Sequence, residues 1–264
     1  MSPGGKGLNQ AVAAARAGGN VAFIGAIGRD PFGARLRAAL SEDGIDVERL
    51  RLTDAPTGTA HVAVLDGGEN SIVVVPGANG EHLRLDDDEL QSISSASFVV
   101  AQLERPVQLI EEAFARARAS GATTVLTPAP ADAMTRSLLE LSDVLIPNAG
   151  EARVLSGRAD DISAARVLSE TVPMVVVTRG AGGVIVARGG EVLLDVPART
   201  VQAVDTTGAG DTFAGVFVAR LSTGASVGEA VQAATIAASL TVTRHGAAVS
   251  MPRWREIRAL MPTS

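Results

Sequence analysis

Apolar positions along the chain recur with two periods, and each change of period marks a new element. From residue 98 onward, short Val- and Ile-rich runs at 98–101, 123–126, 144–146, 175–177 and 184–186 read as buried strands. Helical spacing fills 107–119, 132–141 and 162–170, and later 212–221 and 228–243. This alternation predicts an α/β fold, a doubly wound and mostly parallel sheet with helices on both faces. Upstream, an Ala-rich helical pattern ends near Gly18-Gly19 and is followed by a buried strand over 21–25. Residues 31–43 read as a helix with Asp30 as N-cap, Pro31 at the first position and Gly44 past the end. At 59–65 and 71–75 the pattern turns strand-like, with Asp66 to Asn70 between the two runs as a hairpin loop. The hairpin interrupts the α/β alternation and reads as a flap beside the main sheet.

In such sheets ligands bind beyond the C-terminal ends of the strands. The polar residues just after the predicted strands are therefore the suspects: Gln102, Glu104, Asn148, Glu151, Thr178, Arg179 and Asp205. The most informative stretch is Asp205-Thr206-Thr207-Gly208-Ala209-Gly210-Asp211-Thr212-Phe213, a glycine turn that runs into an apolar helix. The first N–H groups of a helix lack intrahelical partners and carry its positive dipole end, so this turn suits a phosphate or a developing oxyanion. Asp211 at its mouth is placed either to take a proton from an attacking hydroxyl or simply to cap the helix. Asn148 and Glu151, three residues apart after a strand, read locally first as an N-cap with a first-turn acid, and second as residues that suit the water shell of a magnesium ion. The segment from Thr178 through Arg179, Gly180, Ala181 and Gly182 to Gly183 follows another strand and reads either as a loop beside a nucleotide or simply as a glycine-rich loop.

Composition narrows the partners. The chain has 264 residues, 46% of them apolar, enough for one large domain with a sizeable core. A net charge of -6 without a basic run argues against nucleic acid. Cysteine is absent, which removes disulfides and thiolate metal sites. No apolar run reaches the length of a membrane span and the start is not a signal peptide, so a cytoplasmic protein without a membrane partner is expected. Lys6, in Gly4-Gly5-Lys6-Gly7, is the single lysine among 23 basic residues, a position that suits a compact ammonium. The histidines at 61, 82 and 245 are scattered and assemble neither a metal cluster nor a nucleophilic triad by spacing.

Two joint signatures make the chain resemble the ribokinase (PfkB) family of carbohydrate kinases from Gly4 to about Arg255. One is Gly4-Gly5-Lys6-Gly7-Leu8-Asn9-Gln10-Ala11 with the following Gly28-Arg29-Asp30-Pro31-Phe32-Gly33; the other is Asp205 to Phe213. The resemblance implies ATP-dependent phosphorylation of a sugar hydroxyl, foremost the terminal hydroxyl of ribose, with ATP, Mg2+ and K+ as cofactors. It implies Asp211 as the catalytic base and Gly208, Ala209 and Gly210 as the anion hole. Gly4, Gly5, Lys6, Asn9 and Glu104 then contact the sugar. Asn148, Thr178 to Gly183, Gly210 and Thr235 lie along ATP, and Glu151 holds magnesium through water. A monovalent cation falls to Asp205, Thr207, Thr241, Arg244, Gly246 and Ser250. Residues 57–77 resemble part of a β lid that covers the sugar and pairs two subunits into a homodimer.

Family members open with a strand and an Asn-x-Asp segment ahead of the Gly-Gly-Lys-Gly motif. The resemblance therefore implies a single ribokinase-like domain that is N-terminally incomplete, lacking the first strand and part of the lid. Two other readings stay open: a kinase for another sugar or a nucleoside, and a truncated nucleotide- or sugar-binding remnant with little catalysis.

Overall fold

The computed structural model describes residues 2–64, 70–81 and 84–262. In chain order the first elements are α1 (Lys6–Arg16), β1 (Gly25–Gly28), α2 (Pro31–Glu42), β2 (Leu50–Thr53), β3 (Thr59–Val64), β4 (Asn70–Val75), α3 (Ala78–Glu81) and α4 (Asp87–Ser95). Then come β5 (Phe98–Gln102), α5 (Val107–Ala119), β6 (Thr123–Thr127), α6 (Arg136–Glu140), β7 (Val144–Leu145), α7 (Ala149–Ser156), α8 (Asp161–Leu168) and β8 (Met174–Thr178). The chain closes with β9 (Val184–Arg188), β10 (Glu191–Val196), α9 (Ala209–Ser222), α10 (Val227–Thr241) and α11 (Trp254–Arg258).

The main sheet has the order β10-β9-β8-β7-β6-β5; β5 through β8 run parallel, and β9 and β10 are antiparallel additions at one edge. Strand side chains alternate between two cores, as the two-residue period requires. Val125, Val144, Val176 and Val186 face a cluster with α1, α9 and α10; Leu126, Leu145, Val175, Val177 and Ile185 face one that includes Phe114 of α5 and buried residues of α7 and α8. Helices therefore cover both faces, and the parallel strands deliver Gln102, Thr127, Asn148 and Thr178 to one end of the sheet. The doubly wound expectation holds.

Local rules explain most boundaries. Asp30 caps α2 by accepting from the N–H of Gly33, with Pro31 in the first turn. Reciprocal capping boxes start α4 (Asp86, Glu89) and α10 (Ser226, Glu229). The expected helix over 132–141 is broken, because Thr135 accepts from the N–H of Leu138 and starts α6 afresh after a short 3-10 turn at Ala131–Ala133. The strand expected over 21–25 lies later, at Gly25–Gly28, paired in parallel with β2. Its glycines are demanded by close approach: a Cβ on Gly28 would sit 2.5 Å from the carbonyl oxygen of Ala55, and one on Gly25 would sit 2.7 Å from the Phe23 ring.

The hairpin forms as β3 and β4, an antiparallel pair separate from the main sheet. Val73, Val74 and Val75 on β4 are exposed, an apolar run on the hairpin's surface. The expected loop over Asp66 to Glu69 lies outside the described residues, as does His82. No helix among the described residues is long and apolar enough to cross a membrane.

Candidate active site

The site is built where two helices start. α1 and α9 lie side by side in the same direction, so Asn9 meets Asp211, Ala13 meets Gly215 and Gly19 meets Ala219. Gly215 sets the distance: a Cβ there would lie 2.3 Å from the Gln10 carbonyl oxygen and 2.8 Å from the Ala13 Cβ. With alanines on one helix and glycine on the other, the backbones pack closely, and the first turns of both helices converge on Asp211. Both positive dipole ends point the same way.

Gly208 takes the left-handed conformation at φ 77°, which turns the chain into α9 without strain only for glycine. No side chain caps this helix. Among the described residues, no protein acceptor takes the N–H of Gly210 or Asp211. Gly210 has no left-handed backbone to justify it, and a Cβ there would meet no atom within 4 Å. Nothing in the protein requires glycine at 210; what glycine provides is open space over free N–H donors.

Asp211 is not the cap of α9. Its Oδ2 accepts from Asn9 Nδ2 at 2.9 Å and its Oδ1 from Gln10 Nε2 at 3.0 Å. Desolvation raises its pKa above the usual carboxylate value, opposed by these two hydrogen bonds and by the Lys6 charge. Glu104, after β5, accepts from the backbone N–H of Lys6 at 2.9 Å, which ties the Gly4–Gly7 loop to the sheet end. Its pKa is raised by desolvation, and so is that of Glu151; both feel Lys6 and Asp211, so the three carboxylates and the lysine surround one space.

Asn148 and Glu151 form a reciprocal capping box at the start of α7: Glu151 N–H donates to Asn148 Oδ1 and Asn148 N–H to Glu151 Oε2. Asn148 also bridges to Thr178, which brings the loop from Thr178 to Gly183 beside it. Within that loop the Arg179 side chain is turned away, paired with Asp195 on β10. Thr235 on α10 keeps a buried hydroxyl oxygen without a protein partner.

The segment from Thr241 to Ser250 is joined to the α9 turn by Asp205. Its Oδ1 accepts from Thr207 N–H and its Oδ2 from Gly246 N–H, each at 2.9 Å. Thr241 is buried, with its hydroxyl against that of Thr212 at 3.1 Å, and Ser250 donates to the Ala247 carbonyl. Arg244 pairs with Glu256 on α11. The hydrogen bonds to Thr207, then Gly246, hold the Asp205 pKa down to about 2 from 3.8. A folded-state pKa below the unfolded one stabilises the fold above the unfolded value, and that contribution is lost as pH falls through the folded value. Asp205→Ala is therefore expected to destabilise the protein at pH 7 by on the order of 1 kcal/mol after solvent screening. The gap to wild type should close between about pH 4 and about pH 2, as read by urea melts across that range.

The structure thus gathers Gly5, Lys6, Asn9, Glu104, Asn148, Glu151, Gly208, Gly210 and Asp211 around one space. It leaves the Arg179 side chain and the histidines at 61 and 245 out of it. Sequence reasoning missed Gln10 and Gly215. Gln10 was visible only as the neighbour of Asn9, and Gly215 as an isolated glycine inside a helical pattern, which signals a packing reason.

A family model described as pfkB family carbohydrate kinase matches residues 1–254. The ribokinase of Haemophilus influenzae is 40% identical over 262 residues, an alignment that covers 96% of this chain and 85% of that protein. Among solved structures, Arabidopsis thaliana ribokinase complexed with ribose and ATP matches with a TM-score of 0.91 at 31% identity, covering 99% of this chain and 88% of the other. A putative ribokinase II from E. coli, in complex with ATP and Mg2+, matches with a TM-score of 0.87 at 25% identity, covering 98% and 88%.

Proposed function

Because the chain belongs to the pfkB family of carbohydrate kinases, we propose that it transfers the terminal phosphoryl group of ATP to a sugar hydroxyl, with ribose as substrate and ribose 5-phosphate as product. The observation that carries this reading is Asp211 at the uncapped start of α9, fixed at both oxygens beside the free N–H groups of Gly210 and Asp211. The ribose and ATP complex of the Arabidopsis relative supports the choice of substrate.

In the reaction Asp211 accepts the proton of the attacking hydroxyl as its oxygen forms a bond to the γ-phosphorus. The bond between that phosphorus and the bridging oxygen breaks, and ADP leaves with the electron pair. Charge builds on the transferred group's oxygens, and preorganised donors from the Gly208–Gly210 turn stabilise it. Glu104, Asn9 and the loop from Gly4 to Lys6 bind and orient the sugar. Asn9 Oδ1 is buried without a protein partner, an acceptor suited to a hydroxyl. Asn148, the Thr178 to Gly183 backbone and Thr235 lie along the nucleotide.

Magnesium bound with ATP neutralises phosphate charge, and Glu151 fits its water shell: Oε2 takes the Asn148 N–H, while among the described residues no hydrogen bond falls on Oε1. Asp205, Thr207, Thr241, Arg244, Gly246 and Ser250 would hold a monovalent cation, several through backbone carbonyls. The exposed valines of β4 are the face through which two lids would pair into a homodimer.

The experiment measures ADP release with ATP and Mg2+ against ribose, other pentoses, hexoses and nucleosides. Ribose is expected to give the highest kcat/KM, and potassium to raise the rate over sodium at matched ionic strength. A nucleoside or a hexose in first place would move the substrate assignment. Equal rates in the two salts would remove the cation site.

A further inference from the structure

Gln10 differs from Asn9 in a way that separates positioning from binding. Asn9 has a buried oxygen without a partner; on Gln10 both amide hydrogens and the amide oxygen are partnered. Gln10 is 4% exposed, and its Nε2 spends both hydrogens, on Asp211 Oδ1 and on Thr127 Oγ1, each at 3.0 Å. A carboxylate only accepts, and Thr127 directs its own proton toward the Ala101 carbonyl, so both partners need the nitrogen of Gln10. The amide is thereby fixed with Oε1 facing β5, where Gln102 Nε2 donates to it at 2.6 Å. The orientation is over-determined from both ends. Gly7 leaves this contact its room, since a Cβ there would lie 3.0 Å from Gln102 Oε1.

We infer that Gln102 and Gln10 form a positioning relay from the end of β5 through α1 to Asp211, which holds the carboxylate in its reactive orientation and in its ionised form. Both amide hydrogens of Gln10 are spent inside the protein and its buried oxygen is held by Gln102, so it acts through Asp211. The charged groups around Asp211 are Lys6 on α1, Glu104 after β5 and Glu151 on α7. The two acids oppose ionisation of Asp211 and the lysine favours it, so the relay adds to the lysine's effect.

The inference rests on the phosphotransfer reading, and its test includes a measurement that needs no turnover. Wild type, Gln10→Leu, Gln102→Leu and the double variant are compared by kcat, KM and the ascending limb of the pH profile. In the same proteins, free of substrate, the Asp211 carboxyl is titrated by NMR with 13C-labelled aspartate, assigned with Asp211→Asn. A hydrogen bond to a charged group corresponds to about 10–100-fold in an equilibrium or rate. Gln10→Leu is therefore expected to lower kcat by about 10–100-fold, with the KM for ATP within about twofold, and to raise the Asp211 titration and the ascending limb together. Gln102→Leu should shift both in the same direction by less. The double variant should match Gln10→Leu within about twofold, because Gln102 acts only through Gln10. Folded Gln10→Leu with unmoved titration and kcat overturns the relay; if that variant does not fold, an unmoved titration in Gln102→Leu does so. A wild type that phosphorylates no sugar sinks the phosphotransfer reading instead, and the titration still decides the relay.

Discussion

Asp211→Asn is expected to cut kcat by about 10²–10⁴-fold, the usual contribution of a positioned base, while the protein stays folded and binds ATP. The variant keeps the shape of the side chain and removes its capacity to take a proton. The competing role, a helix cap, predicts no loss of rate and little change in stability, since Asn caps about as well as Asp. Geometry separates them, since the carboxylate oxygens face Asn9 and Gln10 on α1 and the α9 cap is Gly208. Stability should move little, for two opposing reasons. An Asn amide loses one of the two donor bonds, which costs about 1 kcal/mol. Against that, the Asp211 pKa is raised in the fold, so its contribution to stability is full below the unfolded value and is lost as pH rises through the folded value, a loss the neutral Asn avoids. The difference should favour wild type below about pH 4 and shift toward the variant at neutral pH. Thermal melts at both pH values beside steady-state kinetics check it; more than half of the wild-type rate would return Asp211 to a structural role.

Gly210→Ala should separate rate from stability more sharply. The new Cβ meets no protein atom within 4 Å, and the residue is exposed in the first turn of α9 with an ordinary backbone. Alanine restricts the unfolded chain and is the better helix former, so Tm should hold or rise, by about 0.4–1 kcal/mol in stability. The methyl group enters the space above the free N–H donors that a transferring phosphoryl group needs. Losing one such donor costs about 10²–10³-fold in kcat, and a fall of at least 10²-fold is expected here. A more stable and nearly inactive protein is the signature to look for. Unchanged kcat would mean that the phosphoryl group is stabilised elsewhere.

Much of this was legible in the sequence because it depends on local rules. The strands from β5 to β9 follow from runs of Val and Ile bounded by polar residues, and helix starts such as Asp30-Pro31 follow from capping chemistry. The candidate base was visible because a glycine turn before an apolar helix has few physical uses. What stayed hidden depends on contacts between distant segments. The strand expected over 21–25 lies at Gly25–Gly28 instead, a shift that shows only once the crowding around Gly28 by Ala55 and Thr57 is seen. The helix over 132–141 looks continuous until Thr135 is found capping Leu138. Gln10 and Gln102 lie 92 positions apart, and no periodicity joins them to each other or to Asp211. Neither does anything local reveal that Arg179, in a loop read as nucleotide-facing, directs its guanidinium at Asp195.

The side-by-side packing of α1 and α9 sets a timetable for the living cell. Asn9 and Asp211 are 202 positions apart. At about 5–20 residues per second, a ribosome delivers the second helix roughly 10–40 seconds after the first. Throughout that interval the side of α1 that packs on α9, with Ala13 on it, lacks that partner, while α2 and β5 reach other parts of the helix sooner. The reaction centre is thus among the last parts of the nascent chain able to assemble. Codon changes that slow translation between the two helices would lengthen the exposure and lower the yield of folded enzyme without altering a single residue.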